Sequence, residues 1–103
     1  MIQLKTMRDI LVLFQTRDAA VEKQDRKLFL STQVDEIRGG SSDGYLAIKK
    51  MKSEVLYTHD ERDITKVVLV KETYFPPKTE PYSSYPVYFL VHTVKGWKIY
   101  RVK

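Results

Sequence analysis

The chain has 103 residues, 43% hydrophobic and 30% charged, with 18 Lys and Arg against 13 Asp and Glu for a net charge of +5. That length suits one domain around one core, and that balance excludes a disordered tail. Cysteine and asparagine are both missing, which excludes disulfides, thiolate nucleophiles, iron–sulfur clusters, sulfur-ligated zinc and any glycosylation sequon.

Segment 4–24 places Leu4, Met7, Leu11, Phe14 and Val21 at helical spacing, widened by Ile10, Leu13 and Ala20. Lys5, Arg8, Asp9, Gln15, Arg17, Asp18, Glu22 and Lys23 fall on the water side, and no glycine or proline interrupts, so an amphipathic helix is predicted. The apolar run from Ile10 to Phe14 is too short for a signal peptide, and Asp9 precedes it. No stretch reaches the roughly 20 apolar residues of a membrane span. The compartment stays open: cytoplasmic by default, extracytoplasmic if the chain is part of a longer anchored protein.

Asp25 is an N-cap candidate ahead of a short helix 26–30, because its carboxylate can accept from the N–H groups just downstream; Leu28 and Phe29 then turn inward. The run Gly39-Gly40-Ser41-Ser42-Asp43-Gly44 reads as a loop. Ser42 or Asp43 can cap a third short helix with Tyr45, Ile48 and Met51 inward and Lys49, Lys50 and Lys52 in water.

From Glu54 onward β-branched and aromatic residues dominate and prolines sit only between runs. The predicted strands are 54–59, 64–75, 85–94 and 97–102, in a four-stranded antiparallel meander whose shortest links leave no room for a crossover. With Lys95-Gly96 as a two-residue turn, Val94 lies opposite Trp97, His92 opposite Ile99 and Leu90 opposite Arg101. Phe89, Val91, Tyr100 and Val102 then share the other face. Both faces are apolar, so the second needs a cover, and a homodimer through the sheet is expected, sensitive to a charge at Tyr88 or Tyr100.

A long first helix, a short Asp-led second helix, a third helix and then an antiparallel sheet resemble the nuclear transport factor 2-like superfamily, whose fold is a cone. Segment 19–30, Ala-Ala-Val-Glu-Lys-Gln-Asp-Arg-Lys-Leu-Phe-Leu, looks like that family's first-helix exit, and Gly96-Trp97-Lys98-Ile99 like its last strand. The resemblance implies an α+β fold, N-terminal helices packed on a curved antiparallel four-stranded sheet. Members include ketosteroid isomerases, dehydratases and polyketide cyclases beside many noncatalytic domains. This chain has little room for the strand hairpin that members often place between helices two and three, and no family catalytic residue maps onto it.

Three side chains are candidates for catalysis: His92, mid-strand, as a general base; Glu72, in an otherwise apolar strand, where burial would raise its pKa; and Tyr57 as a donor. Plainer explanations exist for each, a histidine packed in the sheet and a glutamate at an edge or facing outward among them. For ligand binding the candidates are Tyr74, Tyr85, Tyr88, His92 and Trp97, because aromatics gathered around a loop with three prolines can anchor a partner at low entropy cost. Neither histidine has a second ligand at metal spacing, and the glycine–serine run lacks the ending of a phosphate loop, so no metal or cofactor is expected.

The first functional expectation is a noncatalytic binding or assembly domain, a homodimer with a small-molecule or protein partner. The second is a small isomerase or dehydratase using His92 or Glu72. A nucleic-acid binder using Lys95, Lys98, Tyr100 and Arg101 comes third, because the basic residues are otherwise spread along the chain as on any solvated surface.

Overall fold

The computed structural model describes residues 4–34 and 42–103. Helix α1 (Leu4–Lys23) buries Ile10, Leu13, Phe14, Arg17, Ala20 and Val21, spacings that trace one stripe, with an arginine at its centre. That stripe is rotated from the expected one: Leu4 and Leu11 are exposed, and Arg17, expected in water, has no exposed surface at all. Helix α2 (Arg26–Leu30) starts where expected, with Asp25 accepting from the Leu28 N–H at 3.0 Å. Between the two helices Gln24 takes a left-handed φ of 57°. Its side-chain amide donates to Val21 O at 2.6 Å and to Leu46 O at 2.8 Å, tying the end of α1 to helix α3 (Ser42–Ala47). Gly39, Gly40 and Ser41 of the glycine–serine run, and the side chains of the expected caps Ser42 and Asp43, lie outside the described residues.

The strands are β1 (Met51–Arg62), β2 (Thr65–Tyr74), β3 (Tyr82–Ser84), β4 (Val87–Thr93) and β5 (Gly96–Val102). They form one antiparallel sheet in the order β1-β2-β4-β5, with β3 pairing the upper part of β2, from Glu72 to Tyr74. The sheet therefore has five strands rather than four. The extra one sits inside the proline loop, where Thr73 and Ser83 share a side-chain hydrogen bond of 2.9 Å.

The β4–β5 turn is Val94-Lys95, one residue earlier than expected. Thr93 pairs with Gly96, His92 with Trp97 and Leu90 with Ile99. The cause is local. Gly96 holds φ at +101°, open to glycine at little cost, and Thr93 Oγ1 donates to Gly96 O and accepts from the Lys95 N–H. A bulge at Tyr100 then shifts the alternation, so Val102 pairs with Tyr88 on the helix side instead of sharing the outer face expected for it.

On the face under the helices lie Lys66, Val68, Val70, Glu72 and Tyr74 of β2, Tyr88 and Leu90 of β4, and Trp97 and Ile99 of β5, all buried. One cluster joins Ile10, Leu13 and Phe14 to Val68, Val70, Tyr88, Leu90, Trp97 and Ile99. A second joins Ala20, Val21 and Phe29 to Met51 and Tyr74. Full burial of one such aliphatic or aromatic side chain is worth about 1.5–3 kcal/mol, so the sandwich of α1 on β2, β4 and β5 holds the layers together. The outer face carries Val67, Leu69, Val87, Phe89, Val91 and Tyr100, each half-buried. Tyr88 belongs to the inner layer and cannot serve on that outer face; Tyr100 can.

Candidate functional site

Glu72 contradicts its expected outward placement. The strict alternation of β2 turns it inward with Val70 and Tyr74, and it has no exposed surface. Three tyrosines converge on its carboxylate. Tyr74 Oη donates to Oε1 at 2.5 Å, Tyr45 Oη reaches the same oxygen at 3.2 Å, and Tyr88 Oη meets Oε2. Tyr45 and Tyr88 also touch, Oη to Oη at 3.2 Å, and Ser84 Oγ lies 2.8 Å from Tyr74 Oη.

Proton counting constrains this cluster. Tyr45, Tyr74 and Tyr88 supply one proton each, yet the carboxylate and the three phenols share four close oxygen pairs. With a proton on Glu72 Oε2, Tyr88 accepts there and donates to Tyr45, and all four pairs are filled. Burial acts in that direction, raising the Glu72 pKa above its ordinary 4.5, while the bond from Tyr74, the charge of Arg17 and the bond from Tyr45 oppose it. Burial and the neighbouring Glu72 charge likewise raise Tyr45, and burial with the Glu72 bond pushes Tyr74 up to about 12. These phenols are donors, not bases, at neutral pH.

Beside the carboxylate lies Arg17, held between rings. Its guanidinium carbon is 4.2 Å from the Phe29 ring centroid, 5.2 Å from that of Tyr45 and 5.5 Å from that of Tyr88. Nη1 donates to Thr32 Oγ1 at 3.0 Å and to Gln33 Oε1 at 3.3 Å. Burial lowers the Arg17 pKa, although arginine remains charged. Next along α1, Asp18 accepts from the Ser53 backbone at 2.7 Å and from its hydroxyl at 2.6 Å, locking α1 to β1; burial raises its pKa.

Above this cluster opens a recess of about 450 Å³ lined by Gly44, Tyr45, Ile48, Tyr74, Tyr82 and Ser84. The rings of Tyr74 and Tyr82 pack at 5.1 Å, and those of Tyr45 and Tyr74 at 6.4 Å. Two tyrosines thus present their faces to the recess while their hydroxyls are fixed from beneath by Glu72.

Of the residues singled out in the sequence, Glu72, Tyr74 and Tyr88 come together here. His92 does not: it is exposed, its ring 4.9 Å from Trp97. Trp97 instead borders a separate 230 Å³ hollow with Asp9, Thr16 and Lys98. Tyr57 is exposed beside the Leu56 bulge, and Tyr85 is exposed between β3 and β4. The proposed basic strip is partly spent within the fold, since Lys98 Nζ donates to Ser31 O and Arg101 stacks 5.3 Å over Phe89. Arg17 was missed. Its signal was its position, three residues after Phe14 and seven after Ile10, in the middle of the apolar stripe.

No protein-family model matches the chain, and no curated protein matches it. Solved structures do resemble it. An NTF-2 like protein of unknown function from Shewanella oneidensis MR-1 superposes with a TM-score of 0.75 at 12% identity, covering 93% of this chain and 95% of that one. A domain of unknown function with a cystatin-like fold from Nostoc punctiforme PCC 73102 gives 0.74 at 14% identity, over 98% and 76%. A ketosteroid isomerase-like protein from Erwinia carotovora atroseptica SCRI1043 gives 0.68 at 15% identity, over 97% and 95%. With the helices laid on one face of a five-stranded antiparallel sheet, the chain has the nuclear transport factor 2-like, cystatin-like cone fold.

Proposed function

We propose that the chain is a noncatalytic domain that binds a small molecule in the recess and assembles as a homodimer through the outer face of its sheet. The observation carrying the first part is the anchoring of Tyr45 and Tyr74 by one fully buried carboxylate, Glu72. Their rings are set in advance and lose little freedom when a ligand arrives. The outer face supports the second part: Val67 pairs with Phe89 and Leu69 with Val87 in the register of β2 and β4, Val91 follows on β4, and the Tyr100 ring packs 6.2 Å from that of Phe89. A copy of the same face is self-complementary about a two-fold axis. Sedimentation at high micromolar concentration should give a dimer, and Leu69→Lys should give a monomer with an unchanged far-ultraviolet spectrum. A parent chain that sediments as a monomer refutes the assembly.

A second reading, an isomerase or dehydratase, is favoured by the proton shared between Glu72 and the tyrosines, a geometry able to hold and release a proton beside the recess. One solved neighbour is described as ketosteroid isomerase-like. Accelerated solvent-deuterium exchange at the α-carbons of cyclohexanone, lost in Glu72→Gln, supports this reading. Exchange no faster than in buffer removes it.

A further inference from the structure

Arg17 has no exposed surface, and two of its three guanidinium nitrogens, Nε and Nη2, have no hydrogen-bond partner among the described residues. Those two form the side-on edge of the guanidinium, whose parallel N–H bonds match the two oxygens of a carboxylate. The third, Nη1, is the one engaged by Thr32 and Gln33, which fixes the plane of the group. The nearby acids are spoken for: both Glu72 oxygens are held by tyrosine hydroxyls and both Asp18 oxygens by Ser53. The charges of Glu72 and Asp18 reach Arg17 through space, but a buried donor pair left unmatched is still costly.

Resting on the proposed ligand-binding role, we infer that the recess takes an organic carboxylate. The acid head pairs side-on with Arg17 Nε and Nη2, and an apolar or aromatic body lies against Tyr45, Tyr74, Tyr82 and Ile48. Tyr45 separates the two halves of such a site: its ring lines the recess and lies 5.2 Å from the guanidinium carbon, which has no exposed surface, so the acid head reaches that edge past the Tyr45 ring. The rings of Phe29, Tyr45 and Tyr88 exclude water around the cation, where a bidentate pair is strongest. The incoming charge faces Arg17 and Asp18 from α1, Tyr45 from α3, Glu72 and Tyr74 from β2, and Tyr88 from β4. Glu72 can meet it as the neutral acid, so that one carboxylate and one guanidinium remain face to face.

The test uses the full chain with phenylacetate, hexanoate, their uncharged amides and inorganic phosphate. Calorimetry gives affinity, and the Arg17 Nε–H resonance reports the contact directly. The two carboxylates should bind about tenfold or more tightly than the amides and should shift that resonance downfield. Tyr82→Ala, at an exposed ring, should weaken the carboxylates, and Arg17→Met should abolish their advantage. Amides binding as well as acids, or acids binding without moving the Nε–H signal, overturns the carboxylate assignment and leaves the recess as a binding site. Phosphate matching phenylacetate also overturns it, in favour of a general anion site. If no organic probe binds, both the inference and the binding role fail.

Discussion

Replacing Tyr74 by Phe removes one hydroxyl and keeps the ring. Packing against Tyr82 and Tyr45 survives, so the change reports on hydrogen bonding alone. Two contacts are lost, the 2.5 Å bond to Glu72 Oε1 and the 2.8 Å contact with Ser84 Oγ. A neutral hydrogen bond contributes about 0.5–1.5 kcal/mol, and because this one is buried while water at the open recess can re-satisfy Ser84, the upper end, about 1.5 kcal/mol, is expected. For a domain of this size each kcal/mol moves Tm by about 4–8 °C, which predicts a fall of about 6–12 °C. The pH dependence fixes the cause. The Tyr74 hydroxyl opposes burial by stabilising the ionised carboxylate, so its loss lifts the folded Glu72 pKa further. A carboxyl raised on folding costs stability as pH climbs from its unfolded value toward its folded one. The deficit of Tyr74→Phe must therefore be smallest while Glu72 stays protonated in the folded parent and grow as pH rises past its raised folded pKa. Urea unfolding on both sides of that value, compared at constant m, measures it. A deficit below about 0.5 kcal/mol, or one equal at both pH values, would refute the account of Glu72 as a buried acid held by tyrosines.

Two further substitutions probe the frame. Gly96→Ala meets no atom within 4 Å of the new Cβ, so its cost is backbone strain at φ +101° alone, about 1–2 kcal/mol by denaturant midpoint, with no repacking of neighbours. Asp25→Ala removes the acceptor for the Leu28 amide and should cost about 1 kcal/mol, with faster hydrogen exchange at Leu28 as the local readout.

The apolar stripe of α1, the Asp25 cap and the strand-rich second half were legible because each rests on local spacing or local side-chain chemistry. What depends on parity was not. In β2 the inward set Val68, Val70, Glu72, Tyr74 and the outward set Val67, Leu69, Lys71, Thr73 are about equally apolar, so polarity alone could not assign Glu72 a side. The β4–β5 turn rested on the φ of Gly96 and on the Thr93 hydroxyl; its one-residue shift moved His92 opposite Trp97 but left both on the expected face, and it was the Tyr100 bulge that carried Val102 across. Arg17 shows the same limit from the other direction. A charge at the centre of a helical stripe was read as solvent-facing, whereas its methylenes and guanidinium find three aromatic rings contributed by α2, α3 and β4. Those partners are far apart in sequence, and only the assembled layers bring them together.

Gln24 sets one more property of this fold. A single amide hangs the end of α3 from the last turn of α1, with Lys49 Nζ 3.2 Å from its oxygen, while Tyr45 of the same helix reaches down to Glu72 and Tyr88, so the doorpost is fastened at the long helix and at the sheet alike. The gauge of the opening is written jointly in one glutamine above and one carboxylate in the β layer beneath.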